Sequence, residues 1–344
     1  MEWTFEPLGK YVRLVDERNT NMVTESVLGI NIDKYFMPSV ANVIGTDLGS
    51  YKLLRKGRFA CNPMHVGRDG RLPVARYTED VPAIVSPAYF MFEIIDENEI
   101  EPEYLMLCFR RPDFDRMCWF RTDASVRGGI TWEDVCALTI PVPPLPKQQK
   151  IVRDYQVITE RIEVLKKLND NLVSQCETLY KVLVSGQEPN GKFGDIADVA
   201  SGKRPEKMDS GNIPLLGAGG VMDYIADYNY NVPSLIIGRV GTHGVVQRCS
   251  EFWASDNTLV ISPKYYEFVF HVLRGIDYAA LNRGSTQPLI TQGDIKALNI
   301  YIPPEEDLKS FEGKASTIMT CYSAYQAEID LLNQARELTV SHMS

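Results

Sequence analysis

Two short segments of the 344-residue chain contain residue types that could do chemistry. Leu216–Gly220 is rich in glycine and follows a short apolar run. Loops that bind nucleotide phosphates have the same pattern. Such a loop needs a helix N-terminus to hold the phosphate, but an aromatic, turn-rich stretch follows here. Pro112–Asp115 resembles the start of a nuclease site, yet no Glu-x-Lys completes it. The sequence predicts a glycine-rich turn at the first segment and no nuclease at the second.

Histidines and cysteines show no ligand spacing. His65, His243, His271 and His342 are scattered, so a metal site is not expected. The 7 cysteines include no Cys-x-x-Cys pair, which argues against a disulfide framework and a zinc site and favours buried, reduced thiols. The Asn-Pro-Pro-aromatic motif of amino-methyltransferases is also missing. We therefore expect no catalytic residue, no metal and no cofactor in this chain.

Polar and basic side chains could instead contact a nucleic acid. Gly238–Gly244 follows an apolar run, and its glycines allow close approach to a phosphate backbone. Arg239 can pair with a phosphate or a guanine, Thr242 is a small polar reader, and His243 could contact DNA. The alternative is a tight hairpin with one exposed arginine. A second polar loop contains Arg283, Ser285, Thr286 and Gln287, and its counterpart in the first half of the chain contains Arg127.

The charge is unevenly distributed. The net charge of −9 alone discourages a nucleic-acid partner. However, residues 52–76 carry seven bases and a single acid, Asp69, a net charge of +6; the bases are Lys52, Arg55, Lys56, Arg58, Arg68, Arg71 and Arg76. We call 52–76 the basic segment. It could contact phosphates, or it could be a solvated face of a strand–loop unit.

The elements that must position these residues are repeated. Ile130–Pro144 matches Ile290–Pro304 at an offset of 160 residues, with eight of fifteen positions identical. The same offset continues into heptads, in which Ile151, Ile158, Leu165 and Leu172 correspond to Phe311, Ile318, Tyr325 and Leu332. A register kept for about forty residues indicates one structural unit used twice.

Four pieces follow from these patterns: 1–146, 147–186, 187–304 and 305–344. The first and third have the short apolar runs and Gly/Pro punctuation of mixed α/β domains, with Ser234–Gly238 and Thr258–Ser262 as buried strands. The second and fourth alternate apolar residues every four and three positions, which predicts coiled-coil helices.

Asn169 falls on the seam of the first helix, where a polar residue can fix register, and Gly186 closes that helix. We predict an α+β protein in which two pseudo-symmetric mixed α/β recognition domains are separated by a pair of long helices. The simplest arrangement of that pair is an antiparallel coiled coil. With no apolar run near 18 residues and no signal peptide, we expect a cytoplasmic protein and no membrane contact.

With these features the sequence resembles a known family, the specificity subunits of type I restriction–modification systems. Pro143–Val152 reads Pro-Pro-Leu-Pro-Lys-Gln-Gln-Lys-Ile-Val and resembles the family's "PPLPEQQKIV", with Lys147 where Glu is usual. The resemblance covers the whole chain, and the helices with their Pro-Pro segments carry most of it. Segments that resemble target-recognition domains are Leu54–Pro63 and Val85–Tyr89 in the first half, and Ile213–Gly217, Ile236–Gly244 and Ser255–Thr258 in the second.

The resemblance implies a non-catalytic, sequence-specific DNA-binding subunit whose two halves read an interrupted duplex target. It implies assembly with two modification subunits that use S-adenosylmethionine to methylate adenine. Restriction subunits that translocate DNA, with ATP and Mg²⁺, would complete the complex. Independently, two heads on a rigid spacer suit half-sites about one helical turn, roughly 34–36 Å, apart.

Two alternatives stay open. The acidic net charge favours a scaffold whose twin heads bind proteins, although the basic segment opposes it. Salt-dependent binding to random duplex DNA would separate these two. The other alternative is a methyltransferase that uses Leu216–Gly220, which a titration with S-adenosylmethionine would test.

Overall fold

The computed structural model describes residues 4–40, 44–64, 66–122, 128–281 and 289–343. The chain forms two compact units. The first unit comprises Met1–Val164 and Ile329–Ser344, and the second comprises Leu165–Glu328. Each unit therefore contains one globular domain and parts of both long helices. None of the helices within the described ranges is long and apolar enough to span a membrane.

Short strands and helices make up the first globular domain, which precedes the long helix α5 (Leu145–Val184). Its strands β1 to β10 are Phe5–Pro7, Val12–Leu14, Val27–Ile30, Phe36–Pro38, Lys52–Leu54, Phe59–Cys61, Val74–Arg76, Ala83–Val85, Phe90–Ile94 and Thr139–Pro141. Its helices α1 to α4 are Val66–Asp69, Pro102–Phe109, Pro112–Phe120 and Trp132–Cys136.

The second globular domain lies between α5 and the long helix α9 (Glu305–Ser341). Its strands β11 to β19 are Gly191–Lys192, Ala197–Ser201, Ser210–Gly217, Gly220–Ile225, Ser234–Gly238, Val246–Cys249, Trp253–Ala254, Thr258–Pro263 and Asn299–Ile300. Its helices α6 to α8 are Tyr266–Arg274, Tyr278–Leu281 and Gln292–Lys296.

The two domains have the same central sheet, strand for strand. The order is β2-β9-β6-β7 in the first unit and β12-β18-β15-β16 in the second, and every neighbouring pair is antiparallel. Helix α2 follows β9 as α6 follows β18. We call these sheets, with the short two-stranded ladders described next, the shared frame. The expectation of two mixed α/β domains joined by long helices is confirmed.

A two-stranded ladder closes each frame and pairs the start of a domain with its end. β1 pairs with β10 and β11 pairs with β19. A 3-10 turn follows the first strand in each unit, and its first amide donates across the ladder, from Leu8 to Leu138 at 2.7 Å and from Phe193 to Leu298 at 2.9 Å. The repeat thus includes a second offset, of 185 residues, at the start of each domain.

The repeated segments Ile130–Pro144 and Ile290–Pro304, which we call the closing segments, fold alike because they carry the same helix cap. The Thr131 hydroxyl accepts from the Asp134 amide at 3.1 Å, and the Thr291 hydroxyl accepts from the Asp294 amide at 3.3 Å. These bonds satisfy an amide of the first turn of α4 and of α8. The shared sequence therefore encodes a capped turn of helix followed by the last ladder strand.

The variable parts differ between the units. The first has an additional four-stranded sheet, β4-β3-β8-β5, and the second has a three-stranded sheet, β14-β13-β17. Among the described residues, neither sheet has a counterpart in the other unit. The aromatic rings of Phe59 and Phe92 stack at 5.3 Å in the first core, whereas Phe268 and Phe311 pack edge to face at 6.3 Å in the second.

The long helices are antiparallel within each unit considered separately. In the second, the Cys176 thiol lies 4.0 Å from the carbonyl oxygen of Ala315, and Asn169, earlier in α5, borders a cleft with Tyr322, later in α9. In the first, Val152 from the beginning of α5 shares a core with the end of α9. Gly186, at φ +71°, follows the end of α5, as the sequence predicts.

The predicted seam positions lie on the inner faces of these helices. Asn169 is buried, with 5% of its surface exposed, as the heptad pattern requires. Both of its amide atoms lack a hydrogen-bond partner in the described part of the chain. Leu165 and Phe311 are buried, and the other predicted positions are half-buried: Ile151, Ile158, Leu172, Ile318, Tyr325 and Leu332.

Candidate nucleic-acid interface

The loop Gly238–Gly244 in the second unit follows β15, an inner strand of the shared sheet. Gly241 and Gly244 have φ of +85° and +86°, which disfavours other residues. A Cβ on Gly238 would lie 2.0 Å from the carbonyl oxygen of Thr242. The glycines are therefore required for a tight turn that leaves Thr242 exposed.

Backbone hydrogen bonds hold this loop to two neighbouring segments. The Arg239 amide donates to the Asn257 carbonyl at 2.8 Å, and the Arg239 carbonyl accepts from the Ile290 amide at 3.0 Å. The His243 ring stacks on Tyr278 with centroids 6.4 Å apart. The Nε of Arg239 is buried without a partner among the described residues. Arg239, Thr242 and His243 are thus presented on a constrained loop.

Leu216–Gly220 is a hairpin turn rather than a nucleotide-binding loop. β13 ends at Gly217 and β14 begins at Gly220, so a strand follows the glycines where a phosphate loop needs a helix. The turn adjoins Gly238–Gly244, because a Cβ on Gly238 would lie 3.0 Å from that of Ala218. The methyltransferase alternative loses the segment on which it rested.

The first unit brings together the equivalent loops. The Ile130 amide donates to the Pro63 carbonyl at 3.1 Å, as that of Ile290 does to Arg239. The Gly67 amide donates to the Gly128 carbonyl at 2.8 Å, and a Cβ on Gly67 would lie 2.9 Å from the Gly128 Cα. In both units the loop after the inner strand β6 or β15 is bonded to the first residue of the closing segment, Ile130 or Ile290.

The cations of the basic segment are all engaged in ion pairs within the first unit. Arg55 and Arg58 pair with Glu17 at 2.8 and 2.6 Å. The other pairs are Lys52–Asp16, Lys56–Asp80, Arg68–Asp69, Arg71–Asp33 and Arg76–Glu103, at 3.8, 2.7, 2.6, 3.2 and 2.7 Å. Six carboxylates thus pair with seven cations. The net charge of +6, counted along residues 52–76, therefore overstates the positive charge of the folded surface.

Lys52 does not belong among the candidate DNA contacts. It is 8% exposed, and its ammonium donates to the Tyr89 carbonyl at 2.6 Å. Burial lowers the pKa of Lys52, and Asp16 partly opposes that shift. To contact a phosphate, the Lys52 ammonium would have to give up its hydrogen bond to the Tyr89 carbonyl. Arg55, Lys56, Arg68 and Arg71 remain exposed, with 47–66% of each side chain accessible.

The remaining predicted contacts lie outside the described residues: Arg127, Arg283, Ser285, Thr286 and Gln287. The residues that flank them are described. Gly128 lies against Gly67, and Leu289 forms a β-bridge with Val240. Both polar loops therefore begin or end at the surfaces just described.

One basic cluster was missed by sequence reasoning. Lys203, Arg204 and Lys207 are exposed in the loop between β12 and β13. Glu206 and Asp209 in the same stretch hid it from a count of net charge. The described ranges contain no group of three or more His, Cys, Asp or Glu side chains arranged to hold a metal ion.

Known proteins resemble this chain in both sequence and fold. Residues 189–337 match the type I restriction modification DNA specificity domain. The chain is 25% identical over 140 residues to the type I restriction enzyme specificity subunit S.HindORF215P of Haemophilus influenzae, covering 37% of this chain and 36% of that protein. It is 28% identical over 105 residues to the EcoprrI specificity subunit of Escherichia coli, covering 29% and 26%. These matches span about a third or less of each relative.

Solved structures extend the likeness in fold along the chain. The S subunit of a type I restriction–modification system from M. genitalium superposes with a TM-score of 0.64 at 14% identity, over 100% of this chain and 96% of that one. A chain from a study of complex assembly and conformational transition of the type I R-M system gives 0.51 at 16% identity, over 99% and 97%. At these identities the structures show a shared fold, and the domain match covers the second half of the sequence. The chain is similar in sequence, over residues 189–337, to the type I restriction modification DNA specificity domain, and over its whole length it has the fold of an S subunit of these systems.

Proposed function

We propose that this chain binds duplex DNA sequence-specifically and reads a bipartite target, one part with each unit. It acts as the non-catalytic specificity subunit of a type I restriction–modification complex and positions adenine methyltransferase subunits on the DNA. The bases are read by polar side chains on the glycine-rich loops. The long helices keep the two readers apart and provide the surface on which partner subunits dock.

The observation that carries this proposal is the convergence of loops at one face of the second unit. Gly238–Gly244 is bonded to Asn257 on one side and to Ile290 on the other, and the Leu216–Gly220 turn packs beside it. Glycines bring the backbone close to a ligand, and Arg239 and Thr242 are suited to phosphates and base edges. The first unit repeats this junction at Pro63 and Ile130.

The proposed partners and cofactors rest on the resemblance to type I specificity subunits. We expect two modification subunits that bind S-adenosylmethionine, and restriction subunits that bind ATP and Mg²⁺, with no cofactor held by this chain. The complex would act on DNA in the cytoplasm. The alternative function is a scaffold whose heads bind proteins. The sequence of the basic segment opposes this alternative, but its structure opposes it less, because every cation of the segment is paired with a carboxylate.

Binding of the full chain to a random-sequence duplex, measured by fluorescence anisotropy at increasing salt, tests the first step. A DNA-binding subunit gives an affinity that falls linearly on a log–log plot against salt concentration. A scaffold gives no salt-dependent binding to the duplex. Co-production with modification subunits and mapping of methylated adenines tests the second step. The proposal requires every methylated adenine to lie in one interrupted motif, and methylation without such a motif would overturn it.

A further inference from the structure

A basic loop that follows the edge strand β12 is anchored at its root. The Gly202 amide donates to the Thr258 carbonyl at 3.1 Å, and the Lys203 amide donates to the Ala254 carbonyl at 2.9 Å. The Trp253 indole donates to the Lys203 carbonyl at 2.7 Å. A Cβ on Gly202 would lie 2.1 Å from the Ser255 carbonyl oxygen, so only glycine fits there. The loop therefore leaves the sheet in a fixed direction.

Three cations on this loop have no anionic partner. Lys203, Arg204 and Lys207 are exposed, and in the described part of the chain none of them has a carboxylate oxygen within 4.0 Å. Glu206 lies between them in sequence but pairs with none of them. In the basic segment of the first unit, by contrast, every cation has a carboxylate partner.

The root of this loop lies next to the turn that holds Arg239. The amides of Gly202 and Lys203 donate to the carbonyls of Thr258 and Ala254, at the two ends of the segment 254–258. Asn257, within the same segment, accepts from the Arg239 amide. The loop after β12 and Gly238–Gly244 are therefore attached to the two sides of one short segment. A ligand that contacts Arg239 comes within the reach of the long side chains at the root of the loop.

The equivalent loop of the first unit has the opposite charge. At the 185-residue offset, Ser201 and Gly202 correspond to Asp16 and Glu17, which follow the edge strand β2, and Lys203 corresponds to Arg18, which is paired with Asp16 at 2.7 Å. Glu17 neutralises Arg55 and Arg58. The loop that supplies internal counter-ions in the first unit thus presents free cations in the second.

We propose that Lys203, Arg204 and Lys207 contact the phosphate backbone of duplex DNA and supply a large share of the salt-dependent affinity of this chain. The inference rests on the proposed function. An unpaired cation meets a phosphate without first breaking an ion pair. Each phosphate it neutralises releases condensed counter-ions and contributes about 0.9 to the slope of log affinity against log salt concentration.

The experiment compares the full wild-type chain with Lys203→Gln/Arg204→Gln/Lys207→Gln on one random-sequence duplex across a salt series. The expected result is a slope lower by about 2 to 3, from about 0.9 per contact. The matched control is Lys166→Gln/Lys167→Gln/Lys181→Gln, which removes three exposed lysines of α5 from the same unit and leaves the slope near that of the wild type. Circular dichroism melting verifies that both variants fold.

The outcomes separate the two proposals. If the wild-type chain shows no salt-dependent binding, the proposed function itself fails. If the wild type binds but the loop variant retains its slope, or the control loses as much as the loop variant, this inference is overturned and the function stands. The conservative variant Lys203→Arg/Arg204→Lys/Lys207→Arg should keep the slope, and its loss would show that charge is not what these residues supply.

Discussion

The loop after the first strand of the central sheet is the clearest difference between the two units. In the first unit it carries Asp16 and Glu17, which pair with cations of the same domain; in the second it carries Lys203 and Arg204, which pair with no carboxylate in the described ranges. The strands that hold both loops have identical order and direction. The shared frame therefore does not determine the charge of the surface that it presents.

Ion pairs explain why a linear count of charge misjudges the first unit. An exposed pair contributes only about 0–1 kcal/mol, so Lys56–Asp80 or Arg68–Asp69 can open. When such a pair opens and its cation contacts a phosphate, the carboxylate stays close by and repels that phosphate. Equal numbers of cations on two surfaces thus need not give equal attraction for DNA.

The largest effect is expected from exchanging one reader. Replacement of residues 187–304 by the matching domain of a relative should change one half of the methylated motif completely and leave the other half intact. Each domain is closed by its own ladder, β1 with β10 or β11 with β19, so exchange disturbs no shared sheet. Methylome sequencing measures the result. A change in both half-sites would contradict independent reading.

Between pH 6.5 and 4, acid should destabilise the second unit through a buried histidine. His271 in α6 is 6% exposed and stacks on Tyr180, and burial lowers its pKa from 6.5 to about 4, which nearby Glu267 partly opposes. The unfolded chain binds a proton that the folded unit refuses, so stability is full above pH 6.5 and declines as the pH falls towards 4. The loss could reach about 3 kcal/mol.

Hydrogen exchange of the α6 amides across this pH range tests that prediction. His271→Phe should remove the histidine-dependent part of the decline, whereas His243→Gln should keep it. The equivalent helix α2 contains no histidine, so its amides should lack this component. An α6 decline that persists in His271→Phe would show that another group titrates.

A pair of equivalent glycines should respond unequally to the same substitution. A Cβ on Gly9 would lie 2.8 Å from the Cys136 Cβ, whereas a Cβ on Gly194 would lie 3.3 Å from the Lys296 carbonyl oxygen. We expect Gly9→Ala to lower the free energy of unfolding by about 1–3 kcal/mol, and Gly194→Ala to lower it by less. Urea titrations measure both. Adding Cys136→Gly to the Gly9→Ala variant should restore part of its stability, because it removes the Cβ that the new methyl group meets. Equal losses of stability at the two glycines would contradict the packing difference.

The seam of the long helices offers a further matched position. Asn169 in α5 corresponds at the 160-residue offset to Ile329 in α9, which is also buried. Asn169→Ile should raise the free energy of unfolding by about 1–2 kcal/mol, because it removes two buried amide atoms that have no hydrogen-bond partner among the described residues. Thermal melting measures this, with Asn169→Asp as the destabilising control. Loss of stability in Asn169→Ile would mean that the amide is satisfied in solution.

The smallest effect is expected from the basic segment. Lys56→Gln/Arg68→Gln/Arg71→Gln removes three exposed but ion-paired cations, so it should lower the salt slope by less than the variant of the loop after β12 does. The same anisotropy titration compares them. An equal or greater reduction would show that local carboxylates do not attenuate phosphate contact.

Much of the architecture could be predicted because it depends on local signals. The Pro-Pro boundaries and the heptads are short-range patterns, and they predicted the two long helices to within a few residues at each end. The β1 and β11 ladders were missed because their strands have two or three residues and share little beyond Gly9 and Gly194. So short a strand has no period that a sequence can reveal.

The candidate site was predicted less completely, since its charges are balanced over long sequence distances. Glu17 lies 38 residues from Arg55, and Glu103 lies 27 residues from Arg76. Burial of Lys52 likewise depends on Tyr89, which a count over residues 52–76 does not include. Gly238–Gly244 could be proposed from sequence because its glycines and polar residues are contiguous.

The first unit is discontinuous: it requires Ile329–Ser344, whereas Leu165–Glu328 forms the second unit without interruption. Val340 and Met343 belong to the first unit's hydrophobic core. During synthesis, the ribosome therefore makes every residue of the second unit before it makes Ile329–Ser344, which the first unit needs. The domain that is translated first is therefore completed last. Part of its apolar core stays uncovered until Val340 and Met343 have left the ribosome.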